Sequence, residues 1–138
     1  MRRSLLTLVI SLAAASPAAA APSATARMSE CVRADRANAR AAAFEGDMRA
    51  IPGAVRLRMR FVLQARTPED PVWTRVDAPG FGRNFTSAPG VGRYVYAKRV
   101  VDLPAPADYR VRVRFRWLNA LGRVIARETR TSRACRQS

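Results

Sequence analysis

Two segments of the chain alternate strictly between apolar and polar positions. Residues 55–65 place an apolar side chain at every second position, with arginine at most of the positions between. Residues 109–117 repeat the pattern with aromatic and valine residues, and the intervening positions are four arginines: Arg110, Arg112, Arg114 and Arg116. Successive side chains of a strand leave opposite faces. Both segments are therefore predicted to be half-buried β-strands with one apolar and one cationic face.

Shorter strand signals surround these two segments, and turns rich in proline and glycine separate them. A first strand is predicted over residues 42–49, after an irregular or short helical lead-in that starts at Arg27. Further strands are predicted over residues 72–77, 93–103 and 123–131. Six or seven strands in about a hundred residues, with no internal repeat or linker, indicate a single all-β domain. We expect a seven-strand antiparallel sandwich.

The N-terminal segment has the pattern of an export signal. Arginines near the start precede an apolar run over residues 5–15, and small residues follow. Cleavage is expected after Ala21 or after Ala26, so residues 1–26 are assigned to a cleaved signal peptide and 27–138 to the exported domain. The apolar run is shorter than the roughly 20 residues that cross a bilayer. We therefore expect no transmembrane segment in the mature chain, and a secreted or envelope-associated protein. The paired arginines fit an ordinary signal or a twin-arginine signal.

The two cysteines lie near opposite ends of the mature chain. In an oxidising compartment, Cys31 and Cys135 are predicted to form one disulfide that joins the terminal segments. Closing a loop of about a hundred residues stabilises a domain by roughly 4–5 kcal/mol in the chain-entropy description. A metal or redox pair is the weaker interpretation, because the chain has no histidine and no Cys-x-x-Cys.

The passage into the second alternating segment resembles a known family. Residues 103–109 read Leu-Pro-Ala-Pro-Ala-Asp-Tyr, and Asn119 and Gly122 follow the strand. This resembles the corner of fibronectin type III and related immunoglobulin-like domains, where a leucine precedes a tyrosine by six residues. The resemblance implies that Leu103 and Tyr109 form a structural corner, in which the tyrosine hydroxyl bonds to nearby backbone. It also implies that the two alternating segments lie in different sheets, and it implies no activity.

Charge is the most unusual property of the composition. The chain has 25 basic and 10 acidic residues, and Lys98 is the only lysine. Without the signal peptide, 23 basic residues face 10 acidic ones, a net charge of +13. Guanidinium groups bind carboxylate, sulfate and phosphate bidentately, so both outer sheet faces are predicted to attract polyanions. The alternative is a solvated outer face whose arginines pair with acids such as Glu128 and Asp102.

The side chains that usually support catalysis are scarce. The absence of histidine removes the usual triads and the imidazole base. Two carboxylate pairs, Glu45 with Asp47 and Glu69 with Asp70, are interpreted as charge compensation among arginines. We expect no enzyme, no metal and no cofactor.

Aromatic residues suggest two further contact points. Trp73 is predicted to face outward beside Arg75, unless a bulge turns it inward. Phe81 and Phe85 lie in the longest predicted loop, over residues 79–92, where sandwiches often bind ligands.

The predicted function is binding. An anionic envelope or extracellular polymer would contact Arg110, Arg112, Arg114 and Arg116, with Trp73 as an additional contact. Nucleic acid would bind only nonspecifically, through charge. The alternative is a protein-interaction or structural module of the envelope, which docks an exported protein through the Phe81 loop or a strand edge.

Overall fold

The computed structural model describes residues 23–36 and 38–138, which form two antiparallel sheets. The strands are β1 (Ala24–Val32), β2 (Ala41–Arg49), β3 (Arg56–Arg66), β4 (Thr74–Arg75), β5 (Asn84–Thr86), β6 (Arg93–Val101), β7 (Ala107–Leu118), β8 (Val124–Thr131) and β9 (Cys135–Gln137). No helix occurs among the described residues. The prediction of an all-β fold is confirmed. Residues 23–36 and 38–138 form nine strands rather than seven, and three of these are only two or three residues long.

The smaller sheet has the order β1-β2-β6, and the larger sheet has the order β4-β3-β7-β8. Strand β5 also pairs with β3, and β9 also pairs with β7. The two alternating segments are β3 and β7, which pair along their whole length from Arg56 opposite Leu118 to Arg66 opposite Asp108. The prediction that they lie in different sheets is wrong. Alternation fixes which face of a strand is buried, but it does not determine which strand lies beside it.

The N-terminal segment differs from the predicted irregular or helical lead-in. Residues 24–32 form β1, which pairs antiparallel with β2. Alternation in β1 is weak because Glu30 interrupts its apolar positions, and its register shifts between Met28 and Glu30. A run of alanine and arginine also favours helix locally, so the strand depends on its partner rather than on its own pattern.

The signal-peptide assignment falls mainly on residues 1–22, which lie outside the described residues. Its last residues do belong to the folded sheet. Ala24 is buried, and the Ser23 carbonyl accepts a hydrogen bond of 2.8 Å from the Arg49 amide. Cleavage after Ala26 would remove these interactions, whereas cleavage after Ala21 would preserve them.

The core lies between the inner faces of the two sheets. Its largest buried side chains come from β2, β3 and β7: Phe44, Met48, Leu57, Met59, Phe61, Leu63, Val111, Val113, Phe115 and Trp117. The Trp117 indole donates a 2.7 Å hydrogen bond to the Arg49 carbonyl, so the polar atom of this buried ring has a partner. The apolar positions of both alternating segments therefore face inward, and their arginines face outward.

Two features connect the ends of the sandwich. The predicted disulfide between Cys31 and Cys135 is confirmed; it joins β1 of the smaller sheet to β9 of the larger sheet across 104 residues of sequence. Leu103 is buried just before β7, and Tyr109 is buried near the start of that strand, where its hydroxyl donates a 2.7 Å hydrogen bond to the Pro104 carbonyl. This bond lies at the start of β7, just before the outward arginines begin.

Candidate functional site

The outward positions of β7 carry four consecutive arginines. Arg110, Arg112, Arg114 and Arg116 alternate with the buried residues 109, 111, 113, 115 and 117. Two strand residues span roughly 6.7 Å, so the four guanidinium groups form a regular column on the outer face of the larger sheet.

Neighbouring strands place more arginines beside this column. Arg58 and Arg60 of β3 lie directly opposite Arg116 and Arg114. On the other side of β7, Arg127 of β8 lies opposite Arg116. Arg58, Arg116 and Arg127 thus form one row across three strands. We call the seven residues the arginine face: Arg58, Arg60, Arg110, Arg112, Arg114, Arg116 and Arg127.

No carboxylate among the described residues pairs with the arginine face. The ion pairs within residues 23–36 and 38–138 involve none of its seven members. Its polar contacts are with neutral groups: Arg58 Nε lies 3.1 Å from Thr86 Oγ1, and Arg110 Nε lies 2.9 Å from Gln64 Oε1. Glu128, which the solvated-face alternative would pair with these arginines, pairs instead with Arg130. The positive charge of this face is therefore not compensated within the described structure.

Mutual repulsion is visible in the electrostatics of one member. The pKa of Arg110 is lowered, first by desolvation on burial and then by the positive charges of Arg112 and Arg66. Arg60 Nε is buried and has no hydrogen-bond partner in the described part of the chain. The column is thus a set of like charges held close together by strand register.

The outer face of the smaller sheet has the opposite character. Three of its outward arginines pair with acids: Arg27 with Glu45 at 2.8 Å, Arg93 with Asp47 at 2.5 Å and Arg99 with Glu30 at 3.3 Å. The Arg93 guanidinium hydrogen-bonds Asp47 and is the main cause of the lowered pKa of that carboxyl. The two outer faces therefore differ: acids pair with most outward arginines of the smaller sheet, whereas no acid among the described residues pairs with the arginine face. Glu45 and Asp47, one of the two predicted carboxylate pairs, thus both form ion pairs with arginine on this face.

Trp73 packs against Arg66 and Arg110 at the end of the arginine face. The strand predicted over residues 72–77 shortens to β4, Thr74–Arg75, so Trp73 belongs to the preceding loop. Its half-buried ring lies 4.1 Å from the Arg110 guanidinium carbon and 4.6 Å from that of Arg66. Both contacts are cation–π pairs, and they extend the arginine face toward the end of the sheet.

A pocket of about 410 Å³ lies at this end. Its wall is mostly apolar and includes Pro68, Pro71 and Pro106. Arg66 and Arg136 also line it, and both pair with Asp108 at 3.1 Å. Within the described residues no group of three or more His, Cys, Asp or Glu could hold a metal ion.

The Phe81 loop is packed rather than presented. Phe81 is buried, and Phe85 stacks on Tyr96 with ring centroids 4.3 Å apart. Lys98 lies over the Phe85 ring at 5.3 Å. The two phenylalanines therefore close one side of the core and offer little surface to a docking chain.

Sequence reasoning identified Arg110 to Arg116 but missed their cross-strand neighbours and the pocket. The outward orientation of Arg58 and Arg60 was readable from alternation, whereas their positions opposite Arg114 and Arg116 depend on pairing. The pocket combines three separate segments, residues 66–71, 106–108 and 136–138. Proline content was the only sequence feature that distinguished the first two segments, and it does not show that they meet.

Comparison with known proteins leaves the family open, since no protein-family model and no curated protein matches this chain. In the part of the chain that the structure describes, no helix has the length and apolar character needed to cross a membrane.

Proposed function

We propose that this chain is an exported, non-catalytic sandwich of the immunoglobulin or fibronectin type III class that binds an anionic polymer of the cell envelope or extracellular space. The observation that carries the proposal is the arginine face, seven guanidinium groups in register without a paired acid among the described residues. Polyanions are attracted to such a surface, and multiple guanidinium contacts release counterions on binding.

The class assignment rests on topology. In an immunoglobulin-like sandwich the first, second and fifth strands oppose the third, sixth and seventh. The orders β1-β2-β6 and β3-β7-β8 fit that arrangement when the short strands β4 and β5 are counted together as the fourth strand. The hydrogen bond from Tyr109 to the Pro104 carbonyl supports the same assignment. The terminal disulfide departs from the family, whose bridge joins two central strands.

Export is part of the proposal. The N-terminal pattern of arginines, apolar run and small residues supports it. So does the disulfide, because such bridges persist in oxidising compartments.

The test compares two variants with the same loss of charge. In the first, Arg110, Arg112, Arg114 and Arg116 become glutamine. In the control, four outward arginines of the smaller sheet become glutamine: Arg27, Arg49, Arg93 and Arg99. Circular dichroism and thermal unfolding establish that both variants fold.

We expect the first variant to elute from heparin at much lower salt than the control. On a single-stranded oligonucleotide, used as a generic polyanion, the slope of log affinity against log salt should fall by roughly 0.7 for each phosphate that is no longer neutralised, or about 3 for four phosphates. Equal losses of affinity in the two variants would show that net charge alone matters, and the assignment to this face would be withdrawn.

A protein-interaction role remains the second candidate, supported by one observation. Strand β6 ends the smaller sheet, and its outward Val95 and Val101 are 43% and 49% exposed. An exposed edge with apolar side chains can accept a strand from another chain. A specific exported partner retained in 1 M salt, and lost when both valines become lysine, would favour this candidate.

A further inference from the structure

The pocket at the end of the larger sheet continues the arginine face. Arg66 lines the pocket and contacts Trp73, and Trp73 in turn contacts Arg110, the first residue of the β7 column. The sequence of contacts is unbroken from the pocket to the arginine face. A ligand lying along the column would therefore reach the pocket without leaving the protein surface.

The charges in the pocket are held in position by one carboxylate. Asp108 Oδ2 accepts from Arg66 Nε at 3.1 Å, and Asp108 Oδ1 accepts from Arg136 Nε at 3.1 Å. Strand pairing places the three residues in one row, because Asp108 lies opposite Arg66 on β3 and opposite Arg136 on β9. Two guanidinium groups thus share a single carboxylate side chain, so cationic side chains outnumber acidic ones in the lining.

The rest of the pocket suits a ring rather than a bare phosphate chain. Its walls are mostly apolar and include three prolines, and the Arg66 guanidinium that lines it also contacts the Trp73 ring. The volume of about 410 Å³ falls within the roughly 300–1,000 Å³ of small-ligand sites, which combine apolar walls with a few polar groups. Thr67 and Ser138 supply hydroxyl groups at the lining.

We propose that this pocket binds a sugar ring of an acidic saccharide, one that carries sulfate, phosphate or carboxylate groups. The apolar face of the ring packs on the proline walls, and its acidic substituent pairs with Arg66 and Arg136. This inference rests on the proposed function, since the remainder of the chain of sugars lies along the arginine face. It names the class of polymer as an acidic polysaccharide.

The experiment compares two probes of similar charge, a heparin hexasaccharide and a short inorganic polyphosphate. Two variants alter the pocket: Arg136→Gln removes one guanidinium group, and Ser138→Trp adds bulk to its lining. Their controls are Arg133→Gln and Leu121→Trp, which make the same changes at exposed positions outside the pocket lining. Affinities are measured by calorimetry, and tryptophan emission is followed because Trp117 is buried and Trp73 adjoins Arg66.

We expect Arg136→Gln to bind the hexasaccharide about tenfold more weakly than its control, the effect of losing one charge-assisted hydrogen bond. Ser138→Trp should also bind it more weakly than its control, because the indole fills part of the pocket. Polyphosphate affinity should match that of the controls, and only the hexasaccharide should change tryptophan emission. Equal effects on both probes, or no effect of either pocket variant, would overturn the inference while leaving the arginine face in place. Failure of the wild-type protein to bind either probe at low salt would remove the proposed function itself.

Discussion

The row formed by Arg58, Arg116 and Arg127 has a measurable consequence for stability. Arg116 lies directly opposite a like charge on each side, and no acid pairs with any of the three within the described residues. Like charges directly opposite on adjacent strands are destabilising, and cross-strand pairs contribute about 0.2–1 kcal/mol each. Removing the central charge should relieve both pairs. Arg116→Gln is therefore expected to stabilise the domain by about 1 kcal/mol at low salt.

Glutamine is the informative substitution because it keeps most of the apolar stem that covers the sheet. For a domain of this size, about 1 kcal/mol corresponds to a rise in Tm of roughly 4 °C. The gain should be largest in 10 mM salt, where the Debye length is about 30 Å, and should nearly vanish in 1 M salt, where it is about 3 Å. Thermal unfolding followed by circular dichroism at both salt concentrations measures this.

The matched control is Arg99→Gln on the smaller sheet, where Arg99 pairs with Glu30. That change removes an attraction, so it should lower stability slightly or leave it unchanged, as exposed ion pairs contribute about 0–1 kcal/mol. If Arg116→Gln melts at or below the wild-type temperature in 10 mM salt, the arginines of the row do not repel one another, and the reasoning is refuted.

Three further predictions concern the core, the disulfide and the smaller sheet. Gly46→Ala should destabilise the domain by about 1–3 kcal/mol in urea titrations, because the added Cβ would lie 2.7 Å from Met59 Sδ in a filled core; a loss below about 0.5 kcal/mol would contradict this. Reduction of the disulfide should cost roughly 4–5 kcal/mol on the chain-entropy estimate for its 104-residue separation, measured by urea unfolding with and without dithiothreitol; unchanged midpoints would contradict it. Asp47→Asn should be less stable than wild type at neutral pH, and the difference should disappear as the pH falls below about 4. Arg93 lowers the pKa of folded Asp47, so its contribution is complete above the unfolded pKa and is lost as the folded carboxyl protonates; a difference that grows toward acid pH would exclude this pair as the cause.

The orientation of the β7 arginines could be predicted because it is a local property. A pleated strand sends alternate side chains to opposite faces, so burial of Val111 and Val113 determines the direction of Arg112 and Arg114. The same argument gave the inner face of β3. Local alternation therefore recovered both strands and their faces without any knowledge of the neighbouring strand.

Which strands pair, and in which register, could not be predicted from alternation. Arg58 lies opposite Arg116 only because β3 and β7 are adjacent with a particular register, which depends on interactions between residues far apart in sequence. The contacts of Trp73 could not be predicted for a related reason. They depend on the side chains of Arg66 and Arg110, which belong to two different strands.

The repulsion within the arginine face links stability to binding. A polyanion that binds only the folded protein stabilises it according to its concentration relative to its dissociation constant, and its negative charges also screen the opposed pairs around Arg116. The charge at Arg116 should thus lower the stability of the free domain and raise the stability of the complex. If the face is merely solvated, the charge at Arg116 should only lower the stability of the free domain, because no bound polyanion compensates the repulsion. The two interpretations of the arginine face therefore predict different stabilities for Arg116→Gln once polyanion is added. If the face binds the polyanion, the variant should be more stable than wild type when free, and polyanion should stabilise it less than it stabilises wild type.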